Sequence, residues 1–268
     1  MTSATIRRWT GSVFRPAQLS GGGVFSPTSL FAGGEQGDAW IPEREFCYTL
    51  SAGGVFERVT TTGDAVARNT GMVNGINADQ LTAAARPTYT EGGGLAWLAF
   101  DGVDDTMQTA NLPGFGAPFL AVTGIKANGL GGVRSEVTVF GALLSRSRAD
   151  IALRLSGGEV GLVATFVREG DGTQTRVRTP DYGMRDLAPH VITGGYQGGF
   201  VFSRTELLSA IPTARDIVTT FTGPIQIGQD ANESINFYGG IYVLRDNVSA
   251  DEIASTEAYI AAKTEVVL

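Results

Sequence analysis

Three carboxylates fall within five residues in Phe100-Asp101-Gly102-Val103-Asp104-Asp105. Hard cations take carboxylate oxygens, so Asp101, Asp104 and Asp105 are candidate ligands for Ca2+. The same spacing also describes an Asp–Gly turn whose acids face water, the commoner fate of such a cluster. Asp230 lies in a second oxygen-rich run, Gln229-Asp230-Ala231-Asn232-Glu233, which has the same two readings. His190 is the single histidine and Cys47 the single cysteine. A two-histidine zinc helix is therefore impossible, and a mixed cysteine–histidine zinc set has too few ligands. His190 precedes Val191-Ile192 at a strand start, and no Gly-x-Ser-x-Gly elbow accompanies it, so a structural or surface role is expected. Cys47 lies in the strand-like Phe46–Leu50, where a thiol behaves as a small buried hydrophobe. There is no P-loop and no complete Gly-x-Gly-x-x-Gly. No catalytic residue and no organic cofactor are assigned, and the expectation is a protein that is not an enzyme. Sugar rings stack on aromatic faces, for which Trp40, Tyr182, Tyr196 and Tyr238 are candidates, while Trp97 is assigned to the core.

The elements that must position these residues read as β-structure. The 37 glycines have no strict every-third spacing, which indicates many tight turns and not a collagen helix. At 43% hydrophobic and 18% charged, the 268 residues can bury one large core. A formal net charge of -7, with no basic block beyond Arg7-Arg8, argues against a nucleic-acid partner. The first residues lack the apolar run of a secretory signal, and no stretch of about twenty apolar residues could insert in a membrane. One cysteine excludes an intrachain disulfide and is compatible with assembly in a reducing cytosol.

Strands are expected at Phe46–Leu50 and Val55–Val59, joined through Ser51-Ala52-Gly53-Gly54, and at Leu95–Phe100, which Asp101-Gly102 closes as a tight turn. Further strands are expected at Phe119–Ile125, Val137–Leu144, Asp150–Leu155, Gly161–Val167, Thr173–Arg178, Pro189–Tyr196, Gly199–Ser203, Ile225–Gly228 and Phe237–Leu244. Ile151, Leu153 and Leu155 alternate with Ala152 and Arg154, the period of a half-buried strand. Residues 68–87 read as irregular loop with one helical turn near Gln80–Ala84. Ser249-Ala250-Asp251-Glu252 is a capping box that opens one helix of about four turns. The expected fold class is all-β: a two-layer antiparallel β-sandwich with one C-terminal helix and a short N-terminal arm. Residues 1–28 form the arm and 29–268 the domain. Ile6, Trp9, Val13 and Phe14 are too apolar for a tail left in water, which makes them candidate attachment residues.

Two stretches carry a resemblance. Gly34-Glu35-Gln36-Gly37-Asp38-Ala39-Trp40, followed by the Ala-rich Ala78–Thr88 ending Arg86-Pro87-Thr88, resembles the opening of concanavalin A-like, laminin-G-like modules of phage virion proteins, or of gene-transfer-agent-like particles. Leu98–Asp105 and the run Phe237–Leu244 with the helix after it are similar to later parts of the same modules. The resemblance implies a jelly-roll domain on a tail fibre, spike or head decoration, assembled in the bacterial host cytoplasm. It implies attachment to other virion proteins through the arm, binding of a host surface glycan or receptor, and a homo-oligomer such as a trimer. In that family, rim loops sometimes hold calcium, but no acidic loop here matches such a site residue by residue. The Glu-x-Asp-x-x-Glu strand of the related glucanases is absent. A glycan-degrading hydrolase and a purely architectural subunit remain the alternatives.

Overall fold

The computed structural model describes residues 25–115, 118–128, 136–144, 147–156, 159–168, 174–179, 188–206, 209–214, 220–228 and 234–268. The proposed arm residues Ile6, Trp9, Val13 and Phe14 lie outside this set, as do Tyr182 and the Gln229–Glu233 run with Asp230.

The first strands are β1 (Gln36–Trp40), β2 (Cys47–Leu50), β3 (Phe56–Arg58), β4 (Arg68–Thr70), β5 (Asn77–Asp79), β6 (Thr88–Gly92) and β7 (Leu95–Phe100). They are followed by β8 (Met107–Thr109), β9 (Leu112–Phe115), β10 (Phe119–Ala127), β11 (Glu136–Leu144), β12 (Ser147–Ser156), β13 (Glu159–Arg168) and β14 (Gln174–Arg178). The chain ends with β15 (Pro189–Gln197), β16 (Phe200–Thr205), β17 (Thr213–Ala214), β18 (Phe221–Gly223), β19 (Ile225–Ile227), β20 (Ile235–Leu244) and the helix α1 (Ala250–Thr264).

One sheet runs β17-β16-β15-β10-β20-β7-β6, with β1 also paired to β20. The facing sheet runs β14-β13-β12-β11-β19-β8-β5-β4-β2-β3, and every pairing among these strands is antiparallel. The molecule is thus an all-β, two-layer antiparallel sandwich with one C-terminal helix.

Alternation along the strands fills two cores. Trp40, Tyr89, Leu98, Phe100, Phe140 and Tyr242 belong to the cluster between the sheets. Phe119 stacks on Tyr242 with ring centroids 5.3 Å apart, and Phe140 sets its edge against Tyr242 at 6.1 Å. The Tyr242 hydroxyl donates to the Ala149 carbonyl at 2.9 Å, joining one sheet to the other. Leu120, Val122, Ile241 and Val243 point the opposite way and meet Ile253 and Ile260 of α1. The first sheet is therefore apolar on both faces.

The helix begins as its capping box requires. Ser249 Oγ accepts from the Glu252 backbone N–H at 3.2 Å, and Glu252 Oε2 accepts from the Ser249 N–H at 2.8 Å. Glu257 then accepts from Thr193 Oγ1 at 2.5 Å and from Arg204 Nε at 2.6 Å, pinning the helix to β15 and β16. Replacing Ser249 with alanine removes a cap worth about 1 kcal/mol. A melting-temperature drop of about 2–4 °C is expected by differential scanning fluorimetry.

The structure adds strands where none was expected, at β1, β6, β8, β9, β17 and β18, and departs from expectation in the loop and the turn as well. Residues 68–87 contain β4, β5 and a 3-10 turn at Ala83–Ala85. Three-residue strands are too short to display a period of two. Asp101-Gly102 does form a turn, with Gly102 at φ 79°, but it passes the chain from β7 in one sheet to β8 in the other instead of closing a hairpin. Among the described residues, no helix is long and apolar enough to cross a membrane.

Candidate functional site

The acidic loop is built as follows. Asp101, Asp104 and Asp105 each bring an oxygen within 4.8 Å of the others. Much of their bonding capacity goes to their own backbone: Asp101 Oδ1 accepts from the Val103 N–H at 2.7 Å, and Asp105 Oδ2 accepts from the Asp101 N–H at 2.8 Å. Burial, together with the neighbouring acids and against the Asp101 N–H bond, pushes the Asp105 carboxyl up to about 6. These bonds alone account for the shape of the turn.

His190 stands at the start of β15, nearly fully buried, with Nδ1 at 2.5 Å from Glu206 Oε1. The other Glu206 oxygen accepts from the Val191 N–H at 3.0 Å. This pair fixes the strand end and has the structural role expected. Cys47 is fully buried, and burial pushes its thiol up, away from the thiolate a nucleophile needs.

The Gly34–Trp40 signature turns out to be architectural. Asp38 is fully buried in β1. Its Oδ1 accepts from the N–H groups of Ala39 and Val73, both at 2.8 Å. Its Oδ2 accepts from Asn74 at 3.1 Å and Ile76 at 2.9 Å. One carboxylate thus satisfies the turn between β4 and β5. Trp40 is also fully buried, and its Nε1 donates to the Ile76 carbonyl at 2.8 Å.

The groove with chemistry in it lies elsewhere, where β20 changes partners. Phe237 pairs with Leu98 of β7, whereas Gly240 pairs with Trp40 of β1. Between them, β7 and β1 diverge. On the other side of β20, Gly124 pairs with Gly239 and Ile125 with Phe237, so Tyr238 is the extra residue of a β-bulge. Bulges re-aim side chains in this way at functional sites. A groove of about 770 Å³ opens at this fork. The segment after β1 walls one side, the β6–β7 hairpin the other, and the last turn of α1 closes one end.

Arg44 spans the two walls. Its Nε donates to Glu91 Oε1 at 2.7 Å and its Nη2 to Glu91 Oε2 at 2.5 Å, a bidentate fork. The Tyr89 hydroxyl also donates to Glu91, and Lys263 of α1 bonds Glu43. The Arg44 guanidinium, helped by Tyr89, holds the Glu91 carboxyl below its ordinary value. A glycosidase acid needs the reverse, a carboxyl held protonated near neutrality. Trp97 is not among the residues lining the groove and lies on the opposite face of the β6–β7 hairpin from Glu91. It leans on Tyr238, which does line the groove, with ring centroids 5.5 Å apart, and a Cβ on Gly92 would lie 3.2 Å from the Trp97 ring.

The aromatic assignments change accordingly. Trp40, a candidate platform, is sealed between the sheets and Tyr196 nearly so, whereas Tyr238 is nearly buried on the outer, groove side. Trp97, assigned to the core, is half-buried on the outer face. The reason is parity: Leu98 and Phe100 take the inward positions of β7, leaving Trp97 outside. Arg44, Tyr89, Glu91 and Lys263 were missed because no local motif marks them. The only sequence signal is the Gly92-Gly93-Gly94 turn beside Trp97.

No family model matches the sequence, and no curated protein matches it. Solved structures share its fold. One, described as HCR/D-Sa-GBL1/C, is 8% identical with a TM-score of 0.51, covering 72% of this chain and 52% of that one. The binding domain of botulinum neurotoxin serotype D/C is 8% identical with a TM-score of 0.50, covering 70% and 50%. The chain spans about half the length of these structures. The class is a two-layer antiparallel β-sandwich; at this identity the likeness concerns the fold alone.

Proposed function

We propose that the chain is a non-enzymatic glycan-binding module that a phage-type virion presents to its host. The groove at the β1–β7 fork carries this reading. It sets the charge-assisted Arg44–Glu91 pair across from Tyr238, whose ring is backed by the half-buried Trp97 indole at the groove's edge, and sugars bind through an apolar ring face and a rim of hydroxyls. The neurotoxin structure that shares the fold is itself a binding domain, which supports recognition over catalysis. The virion setting is supported by the resemblance of the Gly34–Trp40 and Ala78–Thr88 segments to phage modules, and by the apolar residues of the first segment.

Trp97→Ala is expected to weaken glycan binding at least about tenfold, as loss of an aromatic hot spot does. An oligosaccharide array probed with the wild-type chain and this variant measures it, with circular dichroism confirming that the sandwich persists. An array without hits, or one with identical hits for both proteins, rejects the site. Phe25 already packs on Tyr259 with ring centroids 6.2 Å apart, so the truncation that tests the arm ends at Val24. The truncated protein should fold and fail to join the particle; continued incorporation contradicts the attachment role.

A further inference from the structure

We infer that the groove selects glycans without acidic groups and gains affinity from a free amino group. This rests on the reading of the fork as a glycan site. Three carboxylates, Glu43, Glu45 and Glu91, line the groove against two cations, Arg44 and Lys263. Both cations are committed. Arg44 turns two donors of its fork onto Glu91, and Lys263 bonds Glu43. Glu45 is exposed and makes no contact-distance ion pair among the described residues, although it lies close enough to Lys263 to help raise its ammonium. An incoming carboxylate therefore meets an Arg44 already neutralised by Glu91, in a groove that carries one more acid than base. An incoming ammonium meets Glu45 without breaking anything.

The chain's net charge of -7 acts in the same direction at longer range. The ion pairs persist at neutral pH. Arg44 keeps Glu91 ionised, and although burial pulls the Lys263 ammonium down, Glu43, Tyr259 and Glu45 raise it overall. Like charges at contact distance in a solvated groove differ by roughly a factor of five to ten in affinity, and salt screens the difference.

The test uses the full chain and matched probes: neutral galactose-terminated oligosaccharides with and without a terminal sialic acid, and chitotetraose in N-acetylated and de-N-acetylated forms. The sialylated oligosaccharides are expected to bind about five- to tenfold more weakly than their neutral partners at low ionic strength, with the gap narrowing as salt rises. The amino form is expected to bind more tightly than the acetylated one. Glu45→Gln should reduce both differences. Equal or tighter binding of the sialylated probes overturns the charge selection; if that binding still depends on Trp97, the glycan reading stands. Discrimination unchanged in Glu45→Gln overturns the assignment to Glu45. No binding to any probe overturns the glycan reading and the selection together.

Discussion

Replacing Asp38 with alanine is expected to cost about 3–5 kcal/mol of stability, close to the whole margin of many domains. Four backbone N–H groups, those of Ala39, Val73, Asn74 and Ile76, converge on its two oxygens in a fully buried site. Alanine leaves those four donors without their acceptor. Gly71 restricts relief further: a Cβ there would lie 2.1 Å from the Asp38 carboxyl, so the turn is packed directly onto the acid. Asp38→Asn sharpens the test. The amide keeps one acceptor and turns donors toward the remaining N–H groups, so it is expected to lose about 2–4 kcal/mol despite identical size. Urea unfolding curves of the three proteins measure both values. An asparagine variant as stable as the wild type would show that the carboxylate is not what holds the turn.

Gly37→Ala is expected to cost about 4 kcal/mol or to prevent folding. The residue sits at φ 108°, where side chains are strained, and a Cβ would stand 1.9 Å from the Tyr242 carbonyl oxygen of the paired strand. Strand β1 would have to move off β20, carrying Asp38 and Trp40 with it. Gly34 is the internal control. Its φ is also positive, at 83°, but a Cβ there meets nothing within 4 Å. Gly34→Ala should cost only the conformational term, about 1–2 kcal/mol. Comparable losses at the two positions would mean that backbone strain, not the close approach of β1 to β20, sets the requirement for glycine.

These two residues show what was legible in the sequence and what was not. The long strands β10 to β13, β15 and β20 are evident from apolar runs and alternation, and the capping box announces α1. The Gly34–Trp40 run stands out as a signature, yet its meaning lies in partners at 73, 74 and 76 that no spacing rule connects to Asp38. The faces of β7 were readable as two sets, Ala96-Leu98-Phe100 and Leu95-Trp97-Ala99. Both sets are apolar, because α1 covers the outer face of that sheet, so nothing polar distinguished inside from outside. The groove was not legible because it is a product of topology. It exists where β20 trades β7 for β1, and it assembles Arg44, Glu91, Tyr238 and Lys263 from four distant segments. The acidic turn was legible as a cluster, and its backbone bonds explain its shape.

The most direct test of the account is where a bound oligosaccharide touches the chain. Amide and indole NMR spectra, recorded while titrating the strongest array hit, read this residue by residue. The account predicts that the Trp97 indole signal and the amides of Glu43–Glu45, Glu91–Trp97 and Ala262–Lys263 shift, while those of Asp101–Asp105 stay still. Shifts confined to the acidic turn, or spread over the opposite sheet with Trp97 unmoved, would contradict it.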